Sequence, residues 1–85
     1  MGKLDREGAL NLIKEEMERR SIIMPLGMSD LREDLQVREI WDSVDHIEMI
    51  YGMENALAFT ADDVEWGKAD TIGKFIDVLI RHSED

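Results

Sequence analysis

The chain has no cysteine among its 85 residues and only one proline. Without cysteine there can be no disulfide bond, no thiolate metal site and no thiol nucleophile supplied by the protein itself. The longest uninterrupted apolar run, residues 56–59, has four residues, far fewer than a membrane-spanning helix or a signal-peptide core requires. We therefore expect a cytoplasmic protein that does not insert into a membrane.

Basic residues are scarce, with ten lysines and arginines against twenty aspartates and glutamates. The net charge of −10 argues against nucleic acid as a partner. The excess is concentrated in residues 30–65, where eleven carboxylates and two arginines give a net charge of −9. Such a run is either a solvated face or a docking surface for basic partners, because concentrated like charge steers association.

Apolar residues recur at helical spacing in several places, and no useful run alternates as a strand would. The pattern predicts an all-α fold of three main helices and one short helix, forming a single domain over residues 1–85. The first helix is predicted over residues 5–20 and the second over residues 43–57.

Two shorter signals complete the helical pattern. A capping box beginning at Thr60 predicts a short third helix that ends near Trp66, and Asp70 or Thr71 is predicted to cap the last helix. The long first connector covers residues 21–41, and its length predicts a turn of helix near residues 30–35.

Few residues could carry catalysis. The chain has two histidines, His46 and His82, and His46 lies one helical turn after Ser43, a spacing that a Ser-His hydrolase could use. No third orienting group or set of oxyanion donors accompanies this pair, and the sequence lacks calcium loops and glycine-rich phosphate loops. We therefore expect a protein that is not an enzyme.

The most informative segment covers residues 40–50, Ile-Trp-Asp-Ser-Val-Asp-His-Ile-Glu-Met-Ile. One interpretation is simple helix capping, because Asp42 or Ser43 could accept a backbone N–H at the start of the second helix. The segment also resembles the attachment motif of the acyl carrier proteins, D-S-[LVI]-D-x-[VI]-E-[LM]-[VI]. Downstream, Thr71-Ile72 stands where that family has Thr-Val, and residues 75–77 continue its pattern.

This resemblance implies a discrete acyl carrier protein with the family's four-helix bundle. By the same resemblance, Ser43 would receive a 4′-phosphopantetheine arm from coenzyme A through a phosphopantetheinyl transferase, and Asp42 would help to place the serine. The arm would carry acyl intermediates as thioesters between enzymes of fatty acid, polyketide or related lipid biosynthesis. A helix N-terminus suits this role, because its free N–H groups and dipole stabilise an anionic phosphodiester. We expect a monomer.

The resemblance further implies a docking surface on the second helix for acyl-loading and acyl-processing enzymes with basic patches. Its acidic edge would consist of Asp45, Glu48 and Glu54. Its apolar stripe would consist of Val44, Ile47 and Tyr51, although Ile47 suits core packing equally well. The residues implied to line an interior for the acyl chain are Met49, Met53 and Phe75.

Three departures from the family pattern indicate a specialised carrier. Ile40 stands where many members have glycine, and Ala61-Asp62 replaces the common Ile-Pro pair. Asp34-Leu35-Gln36 resembles the family's D-L-G but lies several residues farther upstream of the serine than is usual. The alternative to a carrier is an acidic helical adaptor that binds a basic partner without any modification. It would need only the charged face and the apolar stripe.

Overall fold

The computed structural model of the protein describes residues 4–24 and 31–83. These ranges contain four α-helices, which are α1 (Arg6–Arg19), α2 (Ser43–Leu57), α3 (Asp63–Gly67) and α4 (Ile72–Ser83). A one-turn 3₁₀ helix, Val37–Glu39, precedes α2. Across the same residues the β pairing is limited to an isolated antiparallel bridge between Gln36 and Thr71. The all-α class is therefore confirmed for this part of the chain.

Side-chain oxygens at the helix starts accept backbone N–H groups of the first turn, which satisfies donors that have no partner inside the helix. The pairs are Asp5 with Gly8 (2.6 Å), Asp42 with Asp45 (2.8 Å), Asp62 with Glu65 (2.9 Å) and Thr71 with Lys74 (3.2 Å). The predicted bounds of α2 are confirmed, and its cap is Asp42 rather than Ser43. The last helix is capped by Thr71 rather than Asp70.

The prediction that α3 is capped at Thr60 is wrong. The helix begins at Asp63 with Asp62 as its cap. The Asp62 carboxylate accepts the N–H of Glu65 at 2.9 Å and so takes the capping position that Thr60 was predicted to fill. The N–H of Ala61 donates to the Glu54 carboxylate on α2 at 3.1 Å, which ties Ala61 to α2.

The helical turn in the first connector lies later than predicted. Residue 30 is outside the described residues, and Arg32 to Leu35 forms a single hydrogen-bonded turn. The helical turn is at residues 37–39, where the N–H of Val37 donates to the carbonyl of Asp70 at 3.0 Å. This contact holds the end of the connector beside the start of α4.

The core forms where α1 and α2 pack against α4. Its centre comes from the buried apolar residues of α4, which are Ile72, Phe75, Ile76, Val78 and Leu79. The other two helices contribute Ala9, Ile13, Met17, Met49 and Met53. None of the helices in the described ranges is both long enough and apolar enough to span a membrane.

α1 and α2 meet at a buried carboxylate. Glu16 is 2% exposed and accepts hydrogen bonds from Arg19 (2.7 Å) and Arg20 (2.6 Å). Arg20 continues across to Glu48 on α2, with 2.9 Å between Nη1 and Oε1. The carboxylate of Glu16 lies so close to Gly52 that a Cβ atom there would collide with it. A glycine inside α2 is therefore explained by the close approach of a buried charged group.

We predict that Gly52→Ala lowers the free energy of unfolding by about 1–3 kcal/mol, because the added methyl overpacks a buried ion pair. Helix propensity alone predicts a higher free energy of unfolding, since alanine is favoured over glycine in a helix by roughly 1 kcal/mol. Urea unfolding followed by circular dichroism measures the change. Gly67→Ala is the matched control, because a Cβ atom at Gly67 meets nothing within 4 Å. Wild-type stability in Gly52→Ala would contradict this explanation.

Candidate functional site

α2 begins directly after a buried anchor. Trp41 is 4% exposed, whereas Asp42 and Ser43, the next two residues, are exposed. The Asp42 carboxylate caps the helix by accepting the N–H of Asp45. The hydroxyl of Ser43 has no hydrogen-bond partner within the described residues. Capping thus accounts for Asp42 and leaves Ser43 as a free, accessible hydroxyl on the first residue of a helix.

A cleft of about 450 Å³ adjoins this serine. Ser43 and Asp42 form part of its lining, and the rest includes Trp41, His46, Trp66 and Ala69. Sequence reasoning did not identify Trp41 and Trp66 as wall residues. Trp41 could have been predicted to lie near the serine, because it stands next to the motif in the sequence. Trp66 could not, because only the fold brings it to the cleft.

Trp41 and His46 form a hydrogen-bonded pair in the wall of the cleft. The indole Nε1–H donates to His46 Nδ1 at 2.9 Å, and the two rings stack with their centroids 6.3 Å apart. The ring of Phe75 packs against both rings in a T-shaped arrangement. Because Nδ1 accepts this bond, the neutral imidazole carries its proton on Nε2. Burial of the ring also lowers the pKa of His46.

This arrangement does not favour a hydrolase. A base for Ser43 needs an unprotonated ring nitrogen, but Nδ1 of His46 is occupied by Trp41 and Nε2 bears the proton. His82, the other histidine, lies elsewhere, against Glu65 with 2.5 Å between Nε2 and Oε1. The two histidines therefore have separate surroundings and do not form one site.

The predicted apolar stripe lies on the surface of α2. Val44, Ile47 and Tyr51 are 64%, 52% and 61% exposed, so the alternative of core packing is wrong for Ile47. Val64 on α3 is also 67% exposed. Val44, Ile47 and Tyr51 thus form an exposed apolar stripe along successive turns of α2, which another protein could contact.

The three predicted acidic docking residues differ in their surroundings. Asp45 is half-buried, Glu48 is paired with Arg20, and Glu54 accepts hydrogen bonds from the N–H of Ala61 and from Trp66 Nε1, both at 3.1 Å. Glu54 thus fastens α3 to α2. A docking role for these three carboxylates stays a prediction, and the internal bonds of Glu54 make it the least available of them.

The residues predicted to line an acyl-chain interior are all buried. Met49, Met53 and Phe75 are 0–1% exposed in the core, and none of them belongs to the lining of the cleft beside Ser43. A larger groove of about 760 Å³ lies between α3 and α4; it shares Ala69 and Asp70 with the cleft, but Ser43 is not part of its lining. Its walls carry paired charges, including Lys74 with Asp70 and Arg81 with Glu65, so it presents no field of one sign.

Comparisons of the chain with protein-family models, with curated proteins and with solved structures found no match. Within residues 4–24 and 31–83, no group of three or more histidines, aspartates and glutamates could hold a metal ion.

We predict that His46 makes the protein less stable as the pH falls through and below about 6.5, the ordinary pKa of the ring. The unfolded ring has a pKa of about 6.5, and the folded ring has a lower one. Between these two values the unfolded state binds more protons, so the free energy of unfolding decreases as the pH falls.

Thermal unfolding of wild type and His46→Gln across this pH range measures the effect. The glutamine amide can still accept a hydrogen bond from the indole N–H, but it does not titrate. The variant should therefore lack the decrease in stability that protonation of His46 causes. His82→Gln is the control and should retain it. An equal loss of stability in wild type and His46→Gln would show that another group is responsible.

Proposed function

We propose that the protein is an acyl carrier protein in which Ser43 bears a 4′-phosphopantetheine arm. The proposal depends above all on one observation: Ser43 is an exposed first residue of α2 whose hydroxyl is not used for capping, since Asp42 supplies the cap. The surrounding residues 42–50 resemble the family's attachment motif. Enzymes of fatty acid, polyketide or related lipid biosynthesis would exchange acyl groups through this carrier.

Ser43 would supply the nucleophile for the attachment of the arm. The Ser43 hydroxyl would bond to phosphorus as the pyrophosphate of coenzyme A is cleaved; adenosine 3′,5′-bisphosphate would leave, and a base on the transferase would take the hydroxyl proton. The first-turn N–H groups and dipole of α2 favour the resulting phosphodiester. The arm supplies a terminal thiol that holds acyl groups as thioesters, which a chain without cysteine cannot do itself.

The cleft beside Ser43 is compatible with such an arm. Its volume is about 450 Å³, and the two indoles and Ala69 offer apolar surface for the hydrocarbon portions. Ser43 belongs to the lining of this cleft, so a group attached to its oxygen has immediate access to these walls. Ligand sites of this kind combine apolar walls with a few polar groups.

Partners would bind the docking face, defined as Val44, Asp45, Ile47, Glu48 and Tyr51 on α2. The apolar members are exposed and would supply the contact area. The two carboxylates would steer basic patches of the transferase and of acyl-processing enzymes towards Ser43. An acidic adaptor could use the same face, but it would have no need of the serine.

We predict that Ser43→Ala abolishes loading of the arm and leaves the fold intact. Because Asp42 is the cap, the loss of stability should be below about 1 kcal/mol. The measurement is the intact mass of the protein after incubation with coenzyme A and a promiscuous phosphopantetheinyl transferase. Ser83→Ala is the control, since Ser83 hydrogen-bonds to the carbonyl of Ile80 and should not affect loading. Loading that persisted in Ser43→Ala would disprove the assignment.

We also predict that Asp45→Lys slows loading several-fold at low ionic strength, through slower association with the transferase. The difference from wild type should shrink as salt is added, because exposed charges are screened beyond about 8 Å at physiological ionic strength. Glu15→Lys on α1 is the matched control with the same change in net charge. If both variants were loaded equally fast at low salt, the docking face would not be the site of steering.

A further inference from the structure

His46 offers a single hydrogen-bond donor to the cleft. Trp41 occupies Nδ1, so the proton of the neutral ring is on Nε2. None of the described residues accepts a hydrogen bond from Nε2, and this atom is not among buried polar atoms left without a partner. The atom is therefore accessible to solvent, on a ring that lines the cleft together with Ser43.

We propose that His46 is an arm-positioning residue, whose Nε2–H donates a hydrogen bond to a carbonyl oxygen of the group carried on Ser43. This inference rests on the proposed carrier function. Ser43 and His46 are three residues apart on α2, which places them on one face a single turn apart. A group that leaves Ser43 through the cleft thus passes the histidine.

The geometry selects a neutral donor over a charged one. Protonating Nδ1 would set an imidazolium N–H against the indole N–H of Trp41, which is buried, and would break their bond. The charged groups that line the cleft with His46 are Arg38, Asp42 and Asp70, and the ring's neighbour from α4, Phe75, is uncharged. Burial lowers the pKa of His46, which also favours the neutral ring.

A neutral N–H suits an amide or thioester carbonyl better than a phosphodiester. The phosphodiester, which is charged, finds its partners in the free N–H groups at the start of α2. The carbonyl groups farther along the arm carry no charge and need only one donor. Trp41 therefore acts through His46, by fixing the tautomer and the orientation of the ring.

The test compares the unloaded and the arm-loaded full chain by nuclear magnetic resonance of the imidazole nitrogens. Loading should slow exchange of the His46 Nε2–H with water by roughly tenfold, as expected for one added hydrogen bond, while Nδ1 stays an acceptor. His82, which is bonded to Glu65, is the internal reference and should not change. Nuclear Overhauser contacts should also connect the arm to the indoles of Trp41 and Trp66.

Two variants separate positioning from a merely structural role. His46→Phe should still be loaded at Ser43 but should lose the contacts between the arm and the indoles. His46→Gln should restore them in part, because its amide can accept from Trp41 and donate to the arm. Circular dichroism verifies that both variants fold. Exchange of the His46 Nε2–H with water is measured in the wild-type chain and does not depend on the folding of either variant.

The outcomes distinguish this inference from the carrier function. If the wild-type chain is loaded but His46 exchange is unchanged, or if His46→Phe keeps the arm–indole contacts, the positioning role is overturned and the carrier function stands. If the wild-type chain is never loaded, both are overturned.

Discussion

The burial of Trp41 is the constraint on which the candidate site depends. Its indole is 4% exposed, packs against Phe75 in α4 in a T-shaped arrangement with 6.0 Å between centroids, and donates to His46. The chain must therefore leave the core at the next residue, where Asp42 caps α2 and Ser43 becomes the exposed first residue of the helix. One aromatic side chain thus positions the helix start, the serine and a wall of the cleft.

The carboxylates of the acidic central segment differ in their surroundings. Asp42 and Asp62 cap helices, and Glu54 fastens α3 to α2 through the N–H groups of Ala61 and Trp66. These groups stabilise the fold locally. Exposed carboxylates such as Glu48 add to the field outside the protein, even where they also form ion pairs. The docking interpretation of the charge run therefore concerns the exposed carboxylates of the segment, and it stays a prediction.

The sequence predicted the features that depend on local pattern. The bounds of α2 and the start of α4 follow from apolar spacing and from a capping side chain, both of which are readable within one segment. The cap of α3 was misplaced by two residues, because Asp62 rather than Thr60 accepts the N–H of the first turn. The role of Gly52 could not be foreseen, since only the pairing of α1 with α2 brings the buried Glu16 against it.

In the candidate site, too, features set by local sequence pattern could be predicted and features set by tertiary packing could not. Ser43, Asp42 and the exposed stripe could be located from the motif and from helical spacing. The cleft could not, because Trp66 and Ala69 reach it from beyond α2 through tertiary packing. The bond between Trp41 and His46 spans five residues across a helix start, and no periodic signal marks such a contact.

The central claim is that Ser43 carries a phosphopantetheine arm in the cell. The most direct test is peptide-level mass spectrometry of the chain purified from the cells that naturally produce it, with no transferase added. The account predicts a phosphopantetheine group on the peptide that contains Ser43, located on that residue by fragmentation. Finding this peptide in unmodified form only, or finding the group on another serine, would contradict it.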